Sequence, residues 1–264
     1  MKSAGKIRKL FQRLEALPGL SVALSGGLDS SVLLVLAVEC LGSSKVEALT
    51  VASEIMPEGS LVRARLLASR LGVKHQMVPF DHLNLKFFRE NPLERCYHCK
   101  RAMFAKLKEI ASFPLADGTQ EDDLSEDRPG LKALRELGIL SPLLEAGFRK
   151  KELQEVARKR RLEVYREEAS PCLATRFLPG EEITGEKIEL VKRAEAYLRA
   201  SGWRKVRVRL ARGAALIEIA PEELEAFFSL RDEASRYFQE LGFKKVYLSL
   251  RGYEPPLLTL NNDL

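Results

Sequence analysis

Ser25-Gly26-Gly27-Leu28-Asp29-Ser30 is a stretch whose residue types suit the holding of an anion. Two adjacent glycines let the backbone come close to a ligand, and a helix beginning there offers N–H groups and the positive end of its dipole. Ser25 and Ser30 add hydroxyl donors, and Asp29 is a carboxylate able to help hold magnesium. These are the parts needed to grip the phosphates of a nucleotide. A Gly-Gly pair alone would read as an ordinary strand-to-helix turn. The full string sits between two apolar runs, Leu20 to Leu24 and Val32 to Val38, and reads instead as strand, phosphate loop, helix. It is not G-x-x-x-x-G-K-[ST], since no Lys follows the second glycine, nor is it G-x-G-x-x-G.

The cysteines form a second constellation. Cys96-Tyr97-His98-Cys99 opens an expected helix with Lys100 and Arg101 behind it. A helix start and nearby cations lower a thiol pKa. Cys172 follows far along the chain, in Ser170-Pro171-Cys172-Leu173-Ala174-Thr175-Arg176. Four readings stand open on the residues alone. The C-x-x-C is a redox dithiol, although it lacks the usual small residues between its thiols. Three cysteines with His98 bind structural zinc, although His98 lies awkwardly between two ligands. Three cysteines hold a [4Fe–4S] cluster and leave one iron open for hydrosulfide or substrate. Or these are unrelated buried thiols. Cys40 ends the apolar run of residues 32–41 and is expected in the core.

Apolar and polar residues set out the elements that must position these groups. A leading helix is expected at 6–18, strands at 19–25, 45–52, 74–80 and 112–116, and helices at 30–41, 59–71, 95–111, 129–138 and 150–161. Such alternation implies a parallel sheet with helices on both faces, and ligands then bind at the carboxyl ends of its strands. The acidic stretch 117–130 is an exposed loop by composition; beside a nucleotide, Asp122 or Asp123 would ligate magnesium. Composition shifts near residue 180, which divides the chain into domains 1–180 and 181–264. The second reads as a small α+β domain, with helices at 181–201 and 221–241 and strands at 205–210, 214–220 and 244–250. Arg207 and Arg209 alternate with Val206, Val208 and Leu210, so they share one strand face. Pro255 to Leu264 read as a loose end.

At 264 residues the chain is long enough for two modest domains, and its 45% hydrophobic and 30% charged residues are those of a soluble globular protein. No apolar run approaches the roughly 20 residues of a membrane helix, and Met1 to Lys6 is basic without a following apolar region, so a cytoplasmic protein is expected. Four cysteines in that setting argue against a disulfide framework. The net charge of +6 suits anionic substrates. Basic residues alternate with acids, as in 149–161, and read as solvated helix faces, the cluster Arg158 to Arg161 included, so nucleic acid is not an expected partner.

The string Ser25–Ser30 resembles the pyrophosphate loop of the PP-loop ATP pyrophosphatases. Further segments make the resemblance narrower: Arg95 to Lys100, Asp117-Gly118-Thr119 with Asp122, Asp123 and Arg128-Pro129-Gly130, Ser141-Pro142-Leu143, Ser170 to Arg176, and Val206 to Arg209. Nearly end to end, the chain resembles the LarE family of ATP-dependent sulfur transferases. That resemblance implies a Rossmann-like PP-loop (adenine nucleotide alpha hydrolase-like) α/β fold with a small C-terminal α+β domain. It implies ATP and Mg2+, and a carboxylate of pyridinium-3,5-biscarboxylic acid mononucleotide that is adenylated and then made a thiocarboxylate for the nickel-pincer nucleotide. The three cysteines resemble the cluster-dependent branch, with Cys96, Cys99 and Cys172 on a [4Fe–4S] cluster. Ser25, Gly26, Gly27, Asp29 and Ser30 would hold the leaving pyrophosphate with magnesium, Thr50 and Ser53 would flank adenosine, and Lys100, Gly118 and Asp122 would complete the ATP site. Asp29 and Cys172 would be the catalytic pair. Arg207 and Arg209 become clamps for the substrate phosphate, with Arg176 and Glu195 beside them; without the resemblance, a solvated strand face and a surface helix position are the readings for these residues. A homo-oligomer, commonly a hexamer in this family, is implied, with a nickel-inserting protein as recipient of the product. Two departures touch substrate contacts: Gln120 stands where Asn is common, and Leu210 to Ala215 differ from the usual pattern. Rival functions are a PP-loop tRNA thiolase, which needs an RNA-binding surface, an amide-forming synthetase, which needs no cysteine trio, and a non-catalytic nucleotide- or metal-binding module, which would release no pyrophosphate.

Overall fold

The computed structural model describes residues 2–124, 129–166 and 171–253; Arg128, Ser170 and the tail from Pro255, singled out above, lie outside the described residues. In chain order the regular elements are α1 (Lys2–Glu15), β1 (Leu20–Ala23), α2 (Leu28–Leu41), β2 (Val46–Ala52), α3 (Ser60–Leu71), β3 (Lys74–Pro79), α4 (Lys86–Glu90), α5 (Arg95–Ile110), β4 (Leu115–Ala116), α6 (Pro129–Glu136), α7 (Pro142–Glu145) and α8 (Lys150–Lys159). They continue with α9 (Gly185–Ala200), β5 (Val206–Ala211), β6 (Ala214–Ile219), α10 (Leu224–Phe227), α11 (Arg231–Leu241) and β7 (Lys245–Leu248). Two compact units result, one of Met1–Asp81 with Cys96–Ser170, the other of His82–Arg95 with Pro171–Leu264.

In the first unit the strands lie in the order β3-β2-β1-β4 and all pairs are parallel, as the alternation of elements implies. Side chains sort by the two-residue period of a strand. Leu20, Val22, Val46 and Ala48 pack on one face with Leu10 and Leu14 of α1, Val32, Leu33 and Leu36 of α2, Ala64 and Ala68 of α3, and Leu153 and Val156 of α8. Leu49, Val78 and Leu115 pack on the other with Phe104 and Leu107 of α5 and Leu131 and Leu134 of α6. Helix α2 is apolar on nearly every side, and it is buried from Leu28 through Ala37 except at Asp29. Helix α8 buries only Leu153, Val156 and Ala157, on the face it turns to the core. Helix α1 ends at Glu15, short of the expected 18, because Pro18 excludes its neighbour from a helix.

Strand β4 is shorter than the expected 112–116 for a specific reason. The N–H groups of Ser112 and Phe113 go to the Glu47 carboxylate (2.6 Å) and the Ser21 hydroxyl (3.1 Å) instead of a neighbouring strand. Glu47 is 2% exposed and also accepts from the hydroxyls of Ser21 (2.6 Å) and Ser112 (3.0 Å), so it stitches β1, β2 and the approach to β4 together. Burial pushes its carboxyl pKa up, but these hydrogen bonds and Lys74 outweigh burial and hold it below the ordinary range. A depressed pKa contributes stability that is present above the unfolded value, about 4.3, and is lost as pH falls through the folded one. Denaturant unfolding followed from pH 7 downward is expected to weaken below about pH 4–5, and Glu47→Gln to flatten that part of the profile while lowering stability at pH 7 by about 1–3 kcal/mol. A variant as stable as the parent at pH 7 would contradict this role.

The second unit holds a three-stranded sheet in the order β5-β6-β7, antiparallel between β5 and β6 and parallel between β6 and β7. Its hairpin turns on Arg212 and Gly213, both at positive φ (50° and 84°), the two-residue turn that matches strand twist. The helix expected over 221–241 is broken instead into α10, a 3-10 turn at Phe228–Leu230, and α11. The Ser229 hydroxyl donates to the Ala226 carbonyl (2.8 Å), a local bond that competes with the α-helical ladder. Residues 82–95 join this unit through Asn91, which is 1% exposed and donates its amide to the carbonyls of Leu178 (2.6 Å) and Glu181 (3.1 Å). Among the described residues no helix is long and apolar enough to cross a membrane.

Candidate functional site

The loop Ser25–Ser30 leaves the carboxyl end of β1, a central strand, and runs into α2. Its shape is fixed from within: the Ser30 hydroxyl accepts from the Ser25 N–H (3.2 Å) and lies 3.0 Å from the Ser25 hydroxyl, which in turn accepts from the Gly27 N–H (3.2 Å). Helix α2 begins after Gly27 with no side chain capping it, so its first turn presents backbone donors. Gly26 and Gly118 are each closely packed, against different neighbours. Gly26 has φ of 74°, and a Cβ there would stand 2.1 Å from the Ser60 carbonyl oxygen at the start of α3. At Gly118 a Cβ would stand 2.7 Å from the Ser30 backbone nitrogen, so Gly118 backs the loop and the first turn of α2. Arg63 braces the same loop by donating to the Gly26 carbonyl (3.2 Å).

Asp29 lies in the first turn of α2, and its two carboxylate oxygens accept from the Lys150 ammonium at 3.0 and 2.9 Å. Asp122 accepts from the Lys150 backbone N–H (2.8 Å) and so caps the start of α8. Asp123 accepts from the Gln120 N–H (3.0 Å), and the Gln120 side-chain carbonyl from the Asp122 N–H (2.9 Å), which tightens this acidic turn. Asp117, which is buried, accepts from Ser141 (2.7 Å) and from Thr119. Hydroxyls, helix-start donors, an ammonium and carboxylates thus meet at one strand end, a donor set that fits a polyphosphate with a divalent ion.

Thr50 and Ser53 stand at the end of β2. Thr50 is wholly buried: its hydroxyl donates to the Leu24 carbonyl (2.7 Å) and lies 2.8 Å from Nε2 of His75, so it secures the strand end beneath the loop. Burial, and then the charge of Arg65, push the His75 pKa down, which favours its neutral ring. The Ser53 hydroxyl donates to Glu54 (3.1 Å). On α5, Cys96 and Cys99 are three residues apart, hence on one helix face, with Cys99 buried and Cys96 half-buried. The Lys100 stem lies along Gly130 of α6, where a Cβ would come within 2.6 Å of it. All four cysteines are thiols, and Cys40 packs at the edge of the core. Cys96 and Cys99 belong to the first unit and Cys172 to the second, and among the described residues no three Cys, His, Asp or Glu side chains are grouped as metal ligands.

The second unit carries a buried charged group that the sequence names only in part. Arg176, Arg207, Arg209, Glu195 and Glu218 are each 1–2% exposed. Arg176 donates to both oxygens of Glu195 (2.8 and 3.2 Å), and Glu195 also accepts from the Val208 N–H (3.1 Å) and from Arg199 (2.8 Å). Arg209 forms the same kind of forked pair with Glu218, and Arg207 reaches Glu218 at 3.5 Å and the Tyr253 hydroxyl at 2.7 Å. The Arg207 guanidinium also lies over the Tyr253 ring, 4.2 Å from its centre. So Arg207 and Arg209 do share a strand face, but it is buried and ionic rather than solvated, and Glu195 is no surface position. Burial and then Arg176 act on the Glu195 carboxyl in opposite directions, and the arginine wins, so its pKa is lowered. The Arg207 pKa is lowered by burial first, with Arg209 and Arg176 adding to it.

This group holds the segment that carries Cys172. Arg176 donates to the Pro171 carbonyl (2.9 Å) and Arg209 to the Thr175 carbonyl (3.1 Å), while the Thr175 hydroxyl donates to the Cys172 carbonyl (2.9 Å). Among the residues of these sites that the sequence did not single out are Glu218 and Lys150. Glu218 is the one charge in the apolar strand Ala214–Ile219, and register places it opposite Arg207. Lys150 is a cation in the first turn of a helix, against the dipole.

Comparison with known proteins places the chain in a family. The NAD synthase family profile matches residues 3–112, which span the loop. A pyridinium-3,5-bisthiocarboxylic acid mononucleotide synthase of Lactiplantibacillus plantarum is 34% identical over 254 residues, covering 95% of this chain and 92% of that protein. An uncharacterized protein of Synechocystis sp. is 36% identical over 255 residues, 94% of this chain and 95% of its own, and one of Methanocaldococcus jannaschii is 33% identical over 236 residues, 88% and 89%. With the nucleotide-type loop in place and a likeness that runs along almost the whole chain, this protein belongs to the LarE family of PP-loop enzymes.

Proposed function

We propose that the protein is an ATP-dependent sulfur transferase that converts a carboxylate of pyridinium-3,5-biscarboxylic acid mononucleotide to a thiocarboxylate. The observation that carries this reading is the anion-binding loop Ser25–Ser30, set in a chain similar over nearly its whole length to a synthase of that product.

A carboxylate resists attack by sulfur because it is a poor electrophile. Its oxygen attacks the α-phosphorus of ATP, the bond to the β-phosphate breaks, and pyrophosphate leaves with its electron pair. The acyl-adenylate so formed is attacked at carbon by sulfide, and AMP departs. In the first step Ser25, Ser30 and the backbone donors of α2 receive the leaving pyrophosphate, and charge growing there meets donors already in place. Asp29 and Asp122 are the carboxylates that would hold magnesium, which when bound neutralises the triphosphate and its leaving group. In this reading Thr50 and Gly118, which pack against the loop and its strand end, shape the nucleotide site from behind, while Ser53 would flank adenosine and Lys100 would complete the ATP site. In the second unit Arg176, Arg207 and Arg209 outnumber Glu195 and Glu218, and this excess of positive charge suits the phosphate of the pyridinium nucleotide.

Three thiols, two of them on one helix face, are a donor set of the type that holds an iron–sulfur cluster. In this reading Cys96, Cys99 and Cys172 hold a [4Fe–4S] cluster, which when bound supplies the sulfide. Iron and acid-labile sulfide measured on anaerobically purified protein check that part. The reading includes a cytoplasmic homo-oligomer whose product passes to a nickel-inserting protein. The test of the whole is pyrophosphate release from ATP. Release is expected only when the pyridinium nucleotide is added, with one AMP formed for each pyrophosphate. Hydrolysis to ADP, or release indifferent to the substrate, would overturn the reading.

A further inference from the structure

Lys150 is the first residue of α8 and Asp29 the second of α2, and the lysine ammonium spans both oxygens of the aspartate at 2.9 and 3.0 Å. Nothing in α8 itself calls for a cation there. The first turn of a helix favours acidic side chains, yet α8 opens with Lys150 and Lys151 after Arg149. The position is nonetheless firmly fixed, because the Lys150 backbone N–H is held by the Asp122 carboxylate (2.8 Å) and the Arg149 N–H by Glu152 (2.9 Å). A rigid anchor therefore carries a flexible arm whose charge rests on the acidic residue of the phosphate loop. The pair is also within reach of solutes, with 35% of the lysine side chain and 26% of the aspartate side chain exposed. An ion pair so open to water is weak and changes partners readily.

We propose that Lys150 guards the Asp29 carboxylate. Without nucleotide, the ammonium covers both oxygens of Asp29, and a divalent cation approaching alone meets a positive charge. A polyphosphate arriving with its metal carries enough negative charge to draw the ammonium away. Lys150 then lies on the phosphates, and Asp29 accepts the metal that came with them. The lysine, a compact point charge on a flexible four-carbon stem, suits this exchange. Metal entry at Asp29 is thus coupled to nucleotide entry. The inference rests on the reading of the loop as an ATP site and adds an order of binding to it.

The test is binding of Mn2+ to the full-length protein, read by electron paramagnetic resonance of the free ion, with no activity needed. Without nucleotide, the parent protein and Lys150→Arg are expected to bind Mn2+ weakly at this site. Lys150→Met is expected to bind it about tenfold tighter or more, since one nearby positive charge is gone. Adding Asp29→Asn to Lys150→Met should remove the gain, which places the new affinity at Asp29. With a nonhydrolysable ATP analogue, the parent protein should bind Mn2+ tightly, and the advantage of Lys150→Met should disappear. If Lys150→Met binds the analogue but takes up Mn2+ alone no better than the parent, the guard is overturned and the ATP site stands. If the parent protein binds no analogue, the ATP site itself fails and the guard with it.

Discussion

Cys172→Ala is expected to lower thiocarboxylate formation by about 10³-fold or more, while the first turnover of pyrophosphate release in the presence of the pyridinium nucleotide stays within a few-fold of the parent rate. The two halves of the reaction draw on different residues. In the proposed reaction, activation of the carboxylate uses the loop and Asp29, both in the first unit. Delivery of sulfur in that reaction uses Cys172, in a second-unit segment whose Pro171, Cys172 and Thr175 carbonyls accept from the side chains of Arg176, Thr175 and Arg209. Because those bonds are made to main-chain atoms, losing the thiol leaves the segment in place, and the stability change should stay within about 1 kcal/mol. Separate assays of pyrophosphate and of the thiocarboxylate, by mass spectrometry, check the split. Full sulfur transfer by Cys172→Ala would remove this residue from the mechanism.

A second large effect concerns stability. Glu195→Leu is expected to destabilise the second unit by about 3–5 kcal/mol, the range found when one member of a buried ion pair is deleted. The substitution strips Arg176 of its forked partner in a place where the arginine is 1% exposed, and leaves the Val208 N–H without its acceptor. Glu195→Gln keeps an acceptor for Val208 and should recover part of the loss. The molecule supplies its own reporter: Trp203, the single tryptophan, belongs to the second unit and packs edge-on against Phe227, with ring centres 5.2 Å apart. Urea unfolding followed by its fluorescence measures that unit. An unchanged midpoint in Glu195→Leu would show that the buried charges do not hold it.

What could be read from the sequence was whatever chemistry is local. The loop Ser25–Ser30 is contiguous, and its glycines and hydroxyls act on one another within six residues, so types and spacing reveal it. Strand positions in the first unit follow because β1 and β2 are buried on both faces and read as short apolar runs. The limits appear where partners are distant. Alternation puts Arg207 and Arg209 on one face but is silent on burial; that depends on Glu218, which only the antiparallel register brings opposite. Lys150 looks like one more solvated charge until folding sets it on Asp29, 121 residues away. Asn91 gives no local hint that residues 82–95 pack with a unit that otherwise begins at Pro171. Glu47 is read within a strand, yet its work is to end one, by taking the N–H of Ser112.

The most direct measurement is the fate of the substrate carboxylate. Purified protein, loaded anaerobically with iron and sulfide, is mixed with ATP, magnesium and pyridinium-3,5-biscarboxylic acid mononucleotide, and the nucleotide is weighed by mass spectrometry beside counts of AMP and pyrophosphate. One oxygen exchanged for one sulfur, with one AMP and one pyrophosphate formed per exchange, is the expected result. A substrate of unchanged mass, or sulfur gained without any AMP, would contradict it.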